Sequence, residues 1–141
     1  MTQATMERRW AFDLAGEFGH RDITSDVESL VSDSGIQTGV AVVQMVGSTG
    51  GVTTIEYESG ALRDLRHALE KLAPADAFYE HNERWGDGNG FSHLRSALLK
   101  TAISIPVVDG RLALGTWQQI VVLNFDNRSR SRNVVGVVVG T

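Results

Sequence analysis

The chain has 141 residues and a mass of 15.3 kDa, enough for one ordinary domain that hides roughly two thirds of its unfolded surface and too little for a second folding unit. Hydrophobic residues at 42% and charged residues at 21%, with two prolines and no polar low-complexity tract, exclude disorder. Thirteen basic against seventeen acidic side chains give a net charge of -4, which argues against nucleic acid or an anionic membrane as partner. With no cysteine there are no disulfides, thiolate metal sites or thiol nucleophiles, so any metal falls to His, Asp, Glu or carbonyl oxygen. Residues 1–13 hold no apolar signal core, and no stretch approaches about eighteen apolar residues. The chain therefore reads as a soluble, cytoplasmic protein, residues 1–141 forming one domain.

Between Arg9 and Leu14 the apolar Trp10, Phe12 and Leu14 alternate with Arg9, Ala11 and Asp13, the period of a half-buried strand. Thr24 is placed to cap a helix whose apolar Val27, Leu30 and Val31 keep helical spacing and which Gly35 stops. The β-branched run Thr38 to Val46 reads as a central strand covered on both faces. Val52 to Tyr57 reads as extended; Ser59 then caps a helix with Leu62, Leu65, Leu69 and Leu72 in one stripe, ended by Pro74. Glu80 to Gly90 is polar without a period of its own, the mark of a functional or mobile loop. A short helix follows over Phe91 to Lys100 with Leu94, Ala97 and Leu98 inward. Strands are expected over Ala102 to Val107, Leu112 to Thr116, Gln119 to Phe125 and Val134 to Val139, the last two as a hairpin. No fixed repeat is present. The balance is α+β, strands in excess and mostly antiparallel, with two or three helices.

His81 and His93 bracket the polar stretch, which also holds Glu80, Asn82, Glu83, Asp87 and Asn89 and is the densest group of ligand-type side chains in the chain. Imidazoles and carboxylates carried on loop can converge, as a metal ion or a proton transfer requires. The intervening loop closes at small entropic cost. A solvated surface loop with two ordinary histidines is the competing reading. The Gly47-Ser48-Thr49-Gly50-Gly51 segment offers close backbone approach, two hydroxyls and several amides, a nest for an anion or else a hairpin turn. Asp87-Gly88-Asn89-Gly90 leads into a helix whose first amides can meet an anion, unless Asn89 is only its cap. Glu56 is a base or metal ligand if its strand runs toward the loop, and otherwise a solvated carboxylate. His20 and His67 read as surface residues. Arg128, Arg130 and Arg132, at period two, share one side of the expected hairpin tip, solvated or holding phosphate. Trp117, between Thr116 and Gln118, is a core ring or a stacking platform.

Taken in order, Arg21-Asp22-Ile23-Thr24, GSTGGVTTIEYE, the pair His81-Asn82, DGN followed by His93, and GRLALGTWQ from Gly110 to Gln118 resemble the YjbQ family over about residues 8 to 140. The resemblance implies a compact β-sandwich, association as a homotrimer, and secondary thiamine-phosphate synthase activity. That reaction joins hydroxymethylpyrimidine diphosphate to thiazole phosphate with release of pyrophosphate. Carried over residue by residue, it implies catalytic roles for His81, Asp87, Asn89, His93 and Glu56, and substrate contacts at Ser48, Thr49, Asn82, Gly90, Thr116, Trp117 and Gln118. A divalent cation, Mg²⁺ or Zn²⁺, is implied on His81, Asp87 and His93, with Asp87 and Glu56 as the oxygen donors suited to Mg²⁺. Two positions depart from the family pattern: Gly47 stands where many members carry His, and Phe91 where many carry another His. A trimeric metal- or anion-binding protein without this catalysis is the alternative reading, and an interaction protein whose loops only mediate assembly is a third.

Overall fold

The computed structural model describes residues 2–141. In chain order the elements are β1 (Ala4–Leu14), β2 (Gly19–Asp22), α1 (Thr24–Ser34), β3 (Thr38–Val46), β4 (Gly50–Ile55), α2 (Ser59–Leu72), α3 (Glu80–Trp85), α4 (Gly90–Leu99), β5 (Ala102–Val108), β6 (Arg111–Leu112), β7 (Gln119–Asn124) and β8 (Arg130–Gly140). They form a five-stranded sheet in the order β1-β8-β3-β5-β6 and a three-stranded sheet β2-β7-β4, antiparallel at every pairing. The fold is α+β, as expected.

Side-chain alternation explains the layering. Ile120 and Val122 of β7 join one core with Met45, Val134, Val138 and the α1 residues Val27 and Leu30, while Val121 and Leu123 join a second with Leu62 and Leu69 of α2. β7 is thus the strand covered on both faces. β3 is the middle strand of the larger sheet, but only one of its faces is covered: Val42 and Val46 remain exposed. A β-branched run marks a strand and does not by itself report what lies against each face.

Several elements differ from expectation for local reasons. Thr24 opens α1 rather than capping it, because its hydroxyl donates to Asp22 Oδ1 at 2.6 Å and accepts the Ile120 amide at 2.8 Å, tying the helix to β7. The cap of α2 is Glu58, not Ser59: its carboxylate accepts from the Gly60 and Ala61 amides at 2.7 and 2.8 Å, which hold its pKa below the ordinary carboxylate value. Leu72 is exposed at the end of the leucine stripe. α4 is rotated from its expected orientation. Phe91, Ser92, Arg95 and Ser96 are buried, and Leu94 and Leu98 face outward, because Ser96 donates to the Gly50 carbonyl at 2.6 Å and Arg95 to the Ala73 carbonyl at 3.0 Å. α3 fills part of the polar stretch read as loop, giving four helices where two or three were expected, and the strand expected over Leu112 to Thr116 is only the two-residue β6.

No hairpin joins β7 to β8, since the two strands lie in different sheets. At the corner between them the buried Asn124 donates to the carbonyls of Leu14, Ala15 and Arg128, so the chain is drawn across from one sheet to the other. No helix among the described residues is long and apolar enough to cross a membrane.

Candidate functional site

The corner between the sheets organises a polar cluster. Asp126 is fully buried; it accepts from Arg130 Nε at 2.9 Å, from the Thr49 hydroxyl at 3.1 Å and from the Asn127 amide at 2.8 Å. Burial pushes its pKa up, but Arg130, Asn89 and the Asn127 amide outweigh it and hold the carboxyl below its ordinary value. Beside it Arg132, also buried, directs Nη2 to the Thr49 carbonyl at 3.0 Å, the Thr49 hydroxyl at 2.7 Å and Asn124 Oδ1, while its Nε has no partner. The nest expected at Gly47 to Gly51 is therefore wired from below: Thr49 is buried in this network, and Ser48 stays exposed.

Above that base lie the residues of the polar stretch. The His81 and His93 rings sit 4.4 Å apart, centroid to centroid, and His81 Nδ1 lies 3.7 Å from Asp87 Oδ1. Asn82 Oδ1 accepts the Gly90 amide at 2.8 Å, fixing α3 against the start of α4 and leaving that amide engaged. Asn89 occupies the cap position of α4 without capping it. Its buried amide stands between two carboxylates, 3.4 Å from Asp126 Oδ1 in one orientation and 2.9 Å from Asp87 Oδ1 in the other. Burial, reinforced by the neighbouring His81, lowers the pKa of His93; Asp126, Asp87 and the backbone of Ser48 oppose this without reversing it. His93 opens onto a shallow cleft of about 330 Å³ lined also by Gly47, Ser48, Ser96 and Lys100.

The fold brings together Ser48, Thr49, His81, Asn82, Asp87, Asn89, Gly90 and His93. It does not bring Glu56, Thr116, Trp117 and Gln118 to them within one chain. β4 pairs Gly50 with Asn124 at the polar cluster and Ile55 with Gln119 at its far end. Glu56 and the 116–118 turn lie beyond that far end, where Gln118 donates to Thr54 Oγ1 at 3.1 Å. Trp117 is 71% exposed and is not a core ring. His20, read as surface, is half-buried and pairs with the Tyr57 hydroxyl at 2.9 Å.

Asp126 and Lys100 carry no sequence signal of a site, and the three arginines, expected together at a hairpin tip, do not share a side: Arg128 is exposed, Arg130 is paired with Asp126 and Arg132 is buried. The signal was parity. Arg132 is in phase with Val134 and Val138, the inward residues of β8. No three His, Asp or Glu side chains are gathered as a metal-binding set among the described residues.

Two curled antiparallel sheets, with α1 packed mainly against the larger and α2 and α4 against the smaller, and a buried Asp–Arg base beneath a histidine pair, define a small α+β protein with a polar surface cleft. The family pattern described as UPF0047 protein YjbQ-like matches residues 9–141, and the chain belongs to that family. A UPF0047 protein of Methanothermobacter thermautotrophicus is 40% identical over 116 residues, 82% of this chain and 80% of the relative. One from Archaeoglobus fulgidus is 38% identical over 114 residues, 81% and 86% of the respective chains. Among solved structures, a YbjQ-like protein from Sulfolobus solfataricus superposes with a TM-score of 0.93 at 26% identity, covering 99% of this chain and 100% of that one.

Proposed function

We propose that the chain is a cytoplasmic transferase of the thiamine-phosphate synthase type, working on small phosphorylated substrates at the His81–His93 cleft. The observation that carries the reading is the convergence of His81, Asp87, Asn89 and His93 above the Asp126–Arg132 base. In the reaction, the thiazole nitrogen attacks the methylene carbon of the pyrimidine, the carbon–oxygen bond to the diphosphate breaks, and pyrophosphate leaves with the electron pair. No proton needs to move in that step, so the residues act by binding and by charge. Ser48, His93 and Lys100 line the cleft that takes the phosphate oxygens, with His81 beside His93 and with Arg130 and Arg132 supplying positive potential from behind. His93, kept neutral near pH 7 by its lowered pKa, donates one ring N–H and accepts at the other nitrogen.

A divalent cation belongs to the proposal only as a companion of the diphosphate, since His81, Asp87 and His93 do not close a ligand set by themselves. A homotrimer belongs to it as well. Val42, Val46 and Val108 are exposed on the outer face of the larger sheet, an apolar surface suited to another copy. A neighbouring copy also offers a route by which Glu56 and Trp117, distant within one chain, reach a cleft.

The test is turnover of hydroxymethylpyrimidine diphosphate with thiazole phosphate, read as pyrophosphate release, with and without added Mg²⁺ or Zn²⁺. Release that depends on both substrates and is lost in His93→Ala is expected. Phosphate binding at His93 without turnover would instead favour an anion-binding protein.

A further inference from the structure

A second cavity, of about 350 Å³, lies away from the histidine cleft, between α2, residues 74–76 and the opposite face of α4. Its lining includes Glu17, Arg66, Glu70, Asp76, Phe91 and Arg95. Arg95 is 3% exposed, yet only its Nε is used, donating to the Ala73 carbonyl at 3.0 Å. Neither Nη group makes a hydrogen bond or ion pair with any described residue. One face of the guanidinium rests on the Phe91 ring, 4.8 Å from its centroid. Capping the end of α2 needs a single donor; the remaining N–H groups open onto the cavity, free to donate to an acceptor that enters it. Burial lowers the Arg95 pKa, as expected for an under-compensated charge.

The rest of the lining narrows what that acceptor is. Arg66 is committed, to Glu70 at 2.9 Å and to Glu17 at 3.2 Å. Asp76 has no hydrogen bond or ion pair among the described residues and lines the same cavity as Arg95. Two guanidinium groups thus face three carboxylates. A phosphate dianion would be repelled by the surplus negative charge, whereas a carboxylate accompanied by an ammonium leaves the balance unchanged.

We propose that this cavity binds a small zwitterion of the α-amino-acid type, its carboxylate held by the Nη groups of Arg95 and its ammonium by Asp76. The apolar side chain lies along Phe91 and Pro74. The site is independent of the transferase reading and stands or falls without it.

The test is an amide NMR titration of the intact protein with L-leucine, 4-methylpentanoate, 3-methylbutylamine and inorganic phosphate. L-Leucine should shift the amides of residues 66, 70, 76, 91 and 95, binding about tenfold more tightly than either analogue lacking one charged group. Asp76→Asn should bring L-leucine down to the level of 4-methylpentanoate and leave the latter unchanged; Arg95→Lys should weaken both carboxylates. Because Asp76 is exposed, its variant folds whatever becomes of the Arg95 change. No shifts at about 10 mM L-leucine, phosphate binding as tightly as leucine, or an unaltered Asp76→Asn variant would each overturn the proposal.

Discussion

The Thr49 hydroxyl donates to Asp126 at 3.1 Å across 77 positions of sequence, and the same oxygen accepts from Arg132 at 2.7 Å. One hydroxyl thus links a buried carboxylate to a buried guanidinium and holds the turn after β3 against the corner between the sheets. Asp126→Ala would leave both arginines without their buried counter-charge, and a loss of about 3–5 kcal/mol is expected in urea unfolding. Asp126→Asn, which keeps an acceptor, should cost less. Unchanged stability in the alanine variant would show that the network contributes little.

The lowered pKa of His93 sets a pH dependence of stability. The unfolded chain binds a proton at His93 near the ordinary value of about 6.5, while the folded chain resists it until the pH is lower. Stability is therefore complete above that value and declines as the pH falls from about 6.5 toward the folded-state pKa. His93→Gln should flatten this part of the profile between about pH 7 and 5. In an NMR titration the His93 ring should change charge at a lower pH than a free histidine; a midpoint above the ordinary value would refute the assignment.

Two imidazole rings 4.4 Å apart, one of them lining the cleft, should act as a unit. His81→Ala and His93→Ala are each expected to remove most turnover or phosphate affinity, and the double variant should be no worse than either single change. Losses that multiply would mean two independent contributions.

The open valine face predicts the assembly state. Light scattering should return three times the 15.3 kDa chain mass at micromolar concentration. Val42→Glu, which places a charge in the middle of that face, should return the mass of one chain. A wild-type protein at 15.3 kDa would remove the trimer from the proposal.

Much of the architecture was legible because strands and helices announce themselves through period. Thr38 to Val46 was read to the residue, and the stop of α1 at Gly35 followed from glycine's tolerance of its φ of 70°. The site was legible in its loop half, since His81, Asp87, Asn89 and His93 are close in sequence. Asp126 and Arg132 were hidden because their partners, Thr49 and Asn89, are tens of residues away, and a charged side chain is ordinarily solvated. α4 misled because its apolar Leu94 and Leu98 suggested the inward face, while the hydrogen bonds of Ser96 and Arg95 chose the other.

β8 pairs along its length with β1 on one side and β3 on the other, although it is the last strand in chain order. On a ribosome, the two earlier strands emerge well before the strand that must separate them. Until then each exposes an unsatisfied edge and a row of valines or aromatics, the kind of surface through which incomplete sheets pair with their neighbours.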